Sequence, residues 1–154
     1  MGNWGNFYRK RWPVAVIGYA ANPVEDTIYP TSVNDNLGAP LDAQYSYTIT
    51  FGVNAAPPAY GFWSITLYTP NNVGIPNPYN KYRLSAVDNL VRNPDGSVTL
   101  YIQNAVPKAA PQSNWLPVGI TSGAIKLIIR LYWPQQSIFN GAWAPPPIIR
   151  SAPA

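Results

Sequence analysis

The run Ala124–Trp133, AIKLIIRLYW, decides the fold. Ile125, Leu127, Ile129, Leu131 and Trp133 fall on one side of an extended chain. Lys126, Ile128, Arg130 and Tyr132 fall on the other. Successive side chains on a strand point to opposite faces, so this period of two predicts a strand with one face in a core. The same rhythm recurs upstream. In QYSYTITF (44–51), Tyr45, Tyr47, Ile49 and Phe51 alternate with Ser46, Thr48 and Thr50. In GFWSITLYT (61–69), Trp63, Ile65 and Leu67 point one way, and Phe62, Ser64, Thr66 and Tyr68 the other. In SVTLYIQ (97–103), Val98, Leu100 and Ile102 face the core, leaving Thr99, Tyr101 and Gln103 opposite. Shorter strands are expected in KYRLSA (81–86), around Leu90–Arg92 and within Thr27–Val33.

Turn residues punctuate these runs. Asn34-Asp35-Asn36-Leu37-Gly38 and Asn93-Pro94-Asp95-Gly96-Ser97 read as tight turns. Many short strands between such turns, with no strand–helix–strand rhythm and no internal repeat, predict an all-β antiparallel sandwich or barrel. A short N-terminal helix is expected over Arg9–Ala21, with Pro13 in its first turn and Asn22-Pro23 as its stop. The end of the chain is rich in proline, and Pro145-Pro146-Pro147 is expected to run extended along the surface as a strap anchored by Trp143. The expected organisation is an arm at 1–8, one domain at 9–150 and a tail at 151–154, because 154 residues suit a single core.

Composition excludes several chemistries. The chain has no histidine and no cysteine. Histidine-based triads, thiol nucleophiles, imidazole- or thiolate-bound zinc and disulfides are therefore impossible. No cofactor, metal ligand or catalytic residue can be assigned. Charged residues are only 10% of the chain, and the net charge of +4 is scattered, so nucleic acid is not an expected partner. The one basic cluster, Arg9-Lys10-Arg11, reads more simply as the polar start of a helix than as a membrane-binding arm. No apolar run reaches the ~20 residues of a transmembrane helix, and the N-terminus lacks the pattern of a signal peptide.

Five motifs, GFWSITLY, NPYNKYRLS, NPDGSVTLYIQ, SNWLPV and IKLIIRLYWPQQSIFNGAWAPPPI, occur in this order at close spacing. Together they resemble the family called domain of unknown function 1214. That domain is usually the C-terminal partner of domain of unknown function 1254 in bacterial and some viral proteins. The resemblance starts at GYAANPVEDTIYP and covers most of the chain. It implies a jelly-roll-like β-sandwich with a small helical element, in an envelope, extracellular or virion-associated setting, and no established activity. This chain departs from the family pattern at two places. Thr69 stands where relatives commonly have an acidic residue, and Asn104 stands where many have histidine.

The carboxylates offer little for catalysis. Asp35 and Asp95 sit in turns, where aspartate bonds its own backbone, and Asp42 is expected to do the same. Adjacent Glu25 and Asp26 point apart on an extended chain. A histidine-free glycan-acting hydrolase or lyase would need two converging carboxylates. Binding residues are better supported: Tyr68, Tyr101, Gln103, Arg130 and Tyr132 would share one aromatic, hydrogen-bonding face if their strands are neighbours. Asn80, Asn114 and Trp115 complete the candidate set. For each a structural role competes: Asn80 as a turn residue, Asn114 as a loop fastener, Trp115 as a peg in the long connection from Asn104 to Asn114. The reading that emerges is a non-catalytic module for assembly with itself or a companion domain, ahead of a neutral-glycan binder and an enzyme.

Overall fold

The structure is a computed structural model that describes residues 5–17 and 22–151. It is mostly β, in two sheets. Strand β8 (Lys126–Tyr132) lies inside the first sheet. One of its edges pairs with β4 (Trp63–Tyr68), from Trp63 opposite Leu131 to Tyr68 opposite Lys126. Its other edge pairs with the short strands β1 (Thr27–Ile28) and β2 (Thr31–Ser32). Strand β5 (Arg83–Ser85) flanks β4. The second sheet runs in the order β7 (Trp115–Pro117), β6 (Val98–Gln103), β3 (Ser46–Phe51), β9 (Ile149–Ser151).

The alternation seen in the sequence builds one core between these sheets. Tyr47, Ile49, Phe51, Leu100 and Ile102 from the second sheet meet Trp63, Ile65, Leu67, Leu127, Ile129 and Leu131 from the first. Phe51 and Trp63 touch across the layer with ring centroids 5.3 Å apart. Among the described residues, helical structure is limited to α1 (Tyr8–Ile17), a single turn α2 (Gln136–Phe139) and a 3-10 turn at Gln112–Asn114. Among the described residues, no helix is long and apolar enough to cross a membrane.

Several expectations are corrected by the structure. The stretch Thr27–Val33 is two strands, not one, with Tyr29-Pro30 between them. Proline has no N–H for a ladder, and Pro30 instead accepts a bond from Ile129 N–H at 2.9 Å. Leu90–Arg92 is not a strand. The Asn114 side chain takes both backbone groups of Val91, accepting from its N–H and donating to its carbonyl, each at 2.8 Å. Pro13 lies within the body of α1 rather than in its first turn, and the expected extension over 18–21 is outside the described residues. Trp133 does not continue the inward row of β8: it has left the strand, with φ of 56°.

The largest correction concerns direction. β7 runs parallel to β6, with Tyr101 opposite Trp115 and Gln103 opposite Pro117. A parallel neighbour cannot be reached by a tight turn, since the chain must first travel back, which takes roughly a dozen residues. Residues 104–114 supply that return. The length of the connection thus follows from strand direction.

Strand β9 is held by more than its ladder. Arg150 Nε lies 2.8 Å from Asp35 Oδ2, an ion pair whose geometry falls outside that of a directed hydrogen bond. Its guanidinium also lies 4.2 Å from the centre of the Tyr45 ring and donates to Pro40 O at 2.9 Å. Asp35 Oδ1 meanwhile accepts the N–H groups of Leu37 and Ala39, which shapes the 34–38 turn. Beside this clasp, Pro145–Pro147 line a mainly apolar cavity of about 300 Å³ together with Ile49, Leu127 and Ile129. Asp35→Asn keeps the turn acceptor and removes the charge. It is expected to lower stability in urea by about 1–2 kcal/mol, the cost of leaving a charged group half-buried without its partner.

Candidate functional site

The β3–β4 connection (52–62) folds back over the end of β8. Tyr60 N–H donates to Trp133 O at 2.8 Å, Gly61 N–H to Tyr132 O at 3.2 Å, and Tyr132 N–H to Phe62 O at 2.9 Å. Glycine at 61 is required by closeness: a Cβ there would lie 2.9 Å from Tyr132 O. This approach stacks Phe62 on Tyr132, with ring centroids 4.4 Å apart and planes 20° apart. It also sets Tyr60 against Trp133 at 5.1 Å, tilted by 54°. Tyr60 is 64% exposed and Trp133 65%.

Trp133 is the least expected residue here. A bulky side chain at positive φ is an outlier, costing about 1–2 kcal/mol. The following Pro134 also pushes its predecessor toward extended backbone. The conformation persists because Trp133 N–H donates to Asp26 O at 2.7 Å while its carbonyl accepts from Tyr60. The fold thus strains its backbone at an outward-facing tryptophan.

The same outer face continues along β4 and β8. Arg130 Nη2 donates to Tyr68 Oη at 2.7 Å, Nη1 donates to Thr66 Oγ1 at 3.2 Å, and the guanidinium sits 5.3 Å from the Tyr68 ring centre and 5.9 Å from that of Tyr29. Three of the candidate residues, Tyr68, Arg130 and Tyr132, therefore lie together. Tyr101 and Gln103 do not join them: β6 belongs to the second sheet, and Gln103 Nε2 donates to Ala105 O at 2.8 Å. Alternation tells which residues face away from the core, but not which sheet they face away from.

The remaining three candidates lie in and around the crossover. Asn80 is a turn residue with φ of 51° that accepts from Tyr82 Oη at 3.3 Å. Asn114 is 1% exposed, and every valence of its amide is used: Oδ1 accepts from Val91 N–H and Ser113 Oγ, and Nδ2 donates to Val91 O and Thr99 O. Trp115 is 4% exposed, donates Nε1–H to Gln103 O at 2.8 Å, and meets the Tyr79 ring edge-on at 4.7 Å. These two residues close the crossover onto β6.

Two polar hollows lie on either side of Asp88. One, about 330 Å³, is lined by Asn80, Lys81, Tyr82, Arg83, Asp88 and Ser113. There Lys81 donates to the carbonyls of Gln112 and Ser113, at 2.7 and 3.2 Å. Its partial burial lowers its pKa below the ordinary lysine value, against a smaller opposing pull from Asp88. The other, about 450 Å³, opens between the sheets beside Trp63, Asp88 and Arg92. Each hollow carries the one carboxylate, Asp88, and the apolar cavity carries only Asp35. Among the described residues, no group of three acidic side chains could hold a metal. Sequence reasoning missed Tyr60, Phe62, Trp133, Asp88 and Arg92. The Tyr-Gly-Phe at 60–62 was the available signal, a glycine between aromatics where two backbones meet.

Fold and site together define a mostly-β, two-sheet domain with an exposed aromatic surface. The chain belongs to the family described as protein of unknown function (DUF1214), whose match spans residues 26–136. Among solved structures it is similar to a crystal structure of a Vibrio parahaemolyticus protein, 24% identical over 90% of this chain and 34% of that one, with a TM-score of 0.74. It is also similar to an uncharacterised protein from Burkholderia cenocepacia, 20% identical over 81% of this chain and 29% of that one, with a TM-score of 0.53. The chain thus spans about a third of the length of these structures, and likeness at such identity is one of fold. Comparison with curated proteins gave no match.

Two substitutions separate strain from packing at this site. Trp133→Gly and Trp133→Ala both remove the ring, but only alanine keeps the backbone penalty. The glycine variant is expected to be the more stable of the two by about 1 kcal/mol in thermal or urea unfolding. Asn114→Ala leaves three buried or half-buried backbone groups without partners. It should cost about 3 kcal/mol by the same measurement.

Proposed function

We propose that this chain is a non-catalytic module for assembly, and that its working surface is the outer face of the first sheet around Trp133. The observation that carries the reading is the strained, outward-held Trp133 paired with Tyr60. A fold that needed no partner there would be relieved by glycine. Tryptophan, tyrosine and arginine dominate the energetics of protein interfaces, and Trp133, Tyr60 and Arg130 share this face. The 54° tilt between Tyr60 and Trp133 makes an uneven surface, better suited to interlocking side chains than to a flat sugar ring. The partner in this reading is a protein surface, either a companion domain or a second copy. A companion domain draws support from the solved structures it resembles, in which this fold occupies about a third of the chain.

The two sheets with their single core also support a jelly-roll-like sandwich. Pro145–Pro147, lining the mainly apolar cavity before β9, support the reading of a strap. A setting outside the cytoplasm rests on the family resemblance alone.

Sedimentation equilibrium over a wide concentration range tests the proposal. Self-association, or binding to a companion domain, is expected to weaken by about tenfold or more in Trp133→Ser, which corresponds to 1.4 kcal/mol. The variant keeps the backbone strain and loses only the Tyr60 contact of an exposed ring, so it should remain folded, with an unfolding temperature no higher than that of the native chain. A chain that stays monomeric at high concentration, with no partner domain encoded beside it, overturns the proposal.

A further inference from the structure

The few charges of this chain are unevenly committed. Of its six acidic side chains, Asp35, Asp42, Asp88 and Asp95 each accept a nearby backbone N–H. The other two, Glu25 and Asp26, are exposed, and among the described residues their carboxylates take no hydrogen bond and no ion pair. They stand beside the aromatic pair: Asp26 O accepts from Trp133 N–H at 2.7 Å, and the next residue, Thr27, lies opposite Tyr132. The exposed rings of Trp133 and Tyr60 therefore have an anionic border. A protein surface that complements them carries cations next to apolar or aromatic side chains.

Helix α1 has that combination. Tyr8, Trp12 and Val16 are spaced four apart, so they lie one above another on a single helix face, and they are 69%, 71% and 66% exposed. At about 100° of turn per residue, Arg9 and Arg11 flank this stripe on its two sides. Arg11 makes one hydrogen bond in its own copy, to Gly5 O at 3.1 Å, from a group with five N–H donors. Isolated helices shorter than roughly 12–15 residues are marginal in water, so a helix of 10 residues gains stability by covering such a stripe.

We infer that the aromatic face of one copy receives α1 of a second copy. Tyr8 and Trp12 pack against Tyr60 and Trp133, while Arg9 and Arg11 pair with Glu25 and Asp26. This rests on the assembly reading above and names its partner. Both halves of the complementarity lie on one chain, which favours a second copy. An anionic lipid surface would suit α1 but would be repelled by Glu25 and Asp26.

Sedimentation equilibrium of the full chain tests this with charge-reversed variants, since reversal turns weak exposed pairs into repulsion. One variant combines Arg9→Glu with Arg11→Glu, and the other combines Glu25→Lys with Asp26→Lys. Each should self-associate about tenfold more weakly than the native chain. Each should stay folded by circular dichroism, because the substituted side chains are exposed and acids suit the first turn of a helix. An equimolar mixture of the two variants should restore association, since each copy then meets the opposite charge on the other. Neither misfolding nor docking of α1 on its own copy gives that rescue. The inference is overturned if either variant associates as the native chain does, or if the mixture fails to rescue. It is equally overturned if the native chain is monomeric or binds only a companion domain. If Trp133→Ser still weakens association in those cases, the assembly reading stands and only the partner is wrong.

Discussion

Strand β8 constrains everything around it. Every second residue from Ile125 to Leu131 is buried, and both edges of the strand carry partners, β4 on one side and β1 and β2 on the other. An interior strand has no freedom of register: a slip by one residue would turn Leu127, Ile129 and Leu131 out and Ile128, Arg130 and Tyr132 in. That fixed register places Tyr132 where Phe62 can stack. It sets Arg130 opposite Ser64 and within reach of Thr66 and Tyr68, and delivers the chain to Trp133 at the rim. The aromatic surface follows from the core of a single strand.

The second sheet depends on a different device. Its parallel pair, β6 and β7, requires a long return, and a long return leaves backbone groups without ladder partners. Asn114 answers this by substituting for a strand. Its amide bonds Val91 on both sides and reaches Thr99 of β6. Trp115 then buries its ring beside Tyr79 and donates to Gln103 O. Nearby, Asn104 donates to Ala43 O and Ile120 O and accepts from Gly119 N–H, and so acts as a second fastener.

The scarcity of charge is of a piece with this architecture. Asp35, Asp42, Asp88 and Asp95 all accept backbone N–H groups in turns or short connections. Asp95 also accepts from Ser97 Oγ at 2.6 Å, which holds its carboxyl below the usual range. These carboxylates shape loops, and loops in turn present the aromatic and amide groups that face solvent. The surface is left mostly with uncharged chemistry, which suits contact with other apolar or hydroxylated surfaces.

The sequence by itself determined the strands of the core, because alternation is a local property of an extended chain and burial follows it residue by residue. It also determined the turns at Asp35 and Asp95, where a side chain bonds its own neighbours; for Asn114 and Trp115 it left a binding role and a fastening role side by side. The family was legible too, from five motifs in order. Only the tertiary structure decided which strands are neighbours, since period two records a face and not a partner. Hence Tyr101 and Gln103 lie on one sheet, and Tyr68, Arg130 and Tyr132 on the other. Only the tertiary structure turned Trp133 outward, because distant carbonyl and amide groups of Asp26 and Tyr60 hold a backbone angle that its own neighbours oppose. The hollow beside Asp88 is likewise invisible in the sequence: its walls come from residues between 51 and 98, and emptiness belongs to how segments meet.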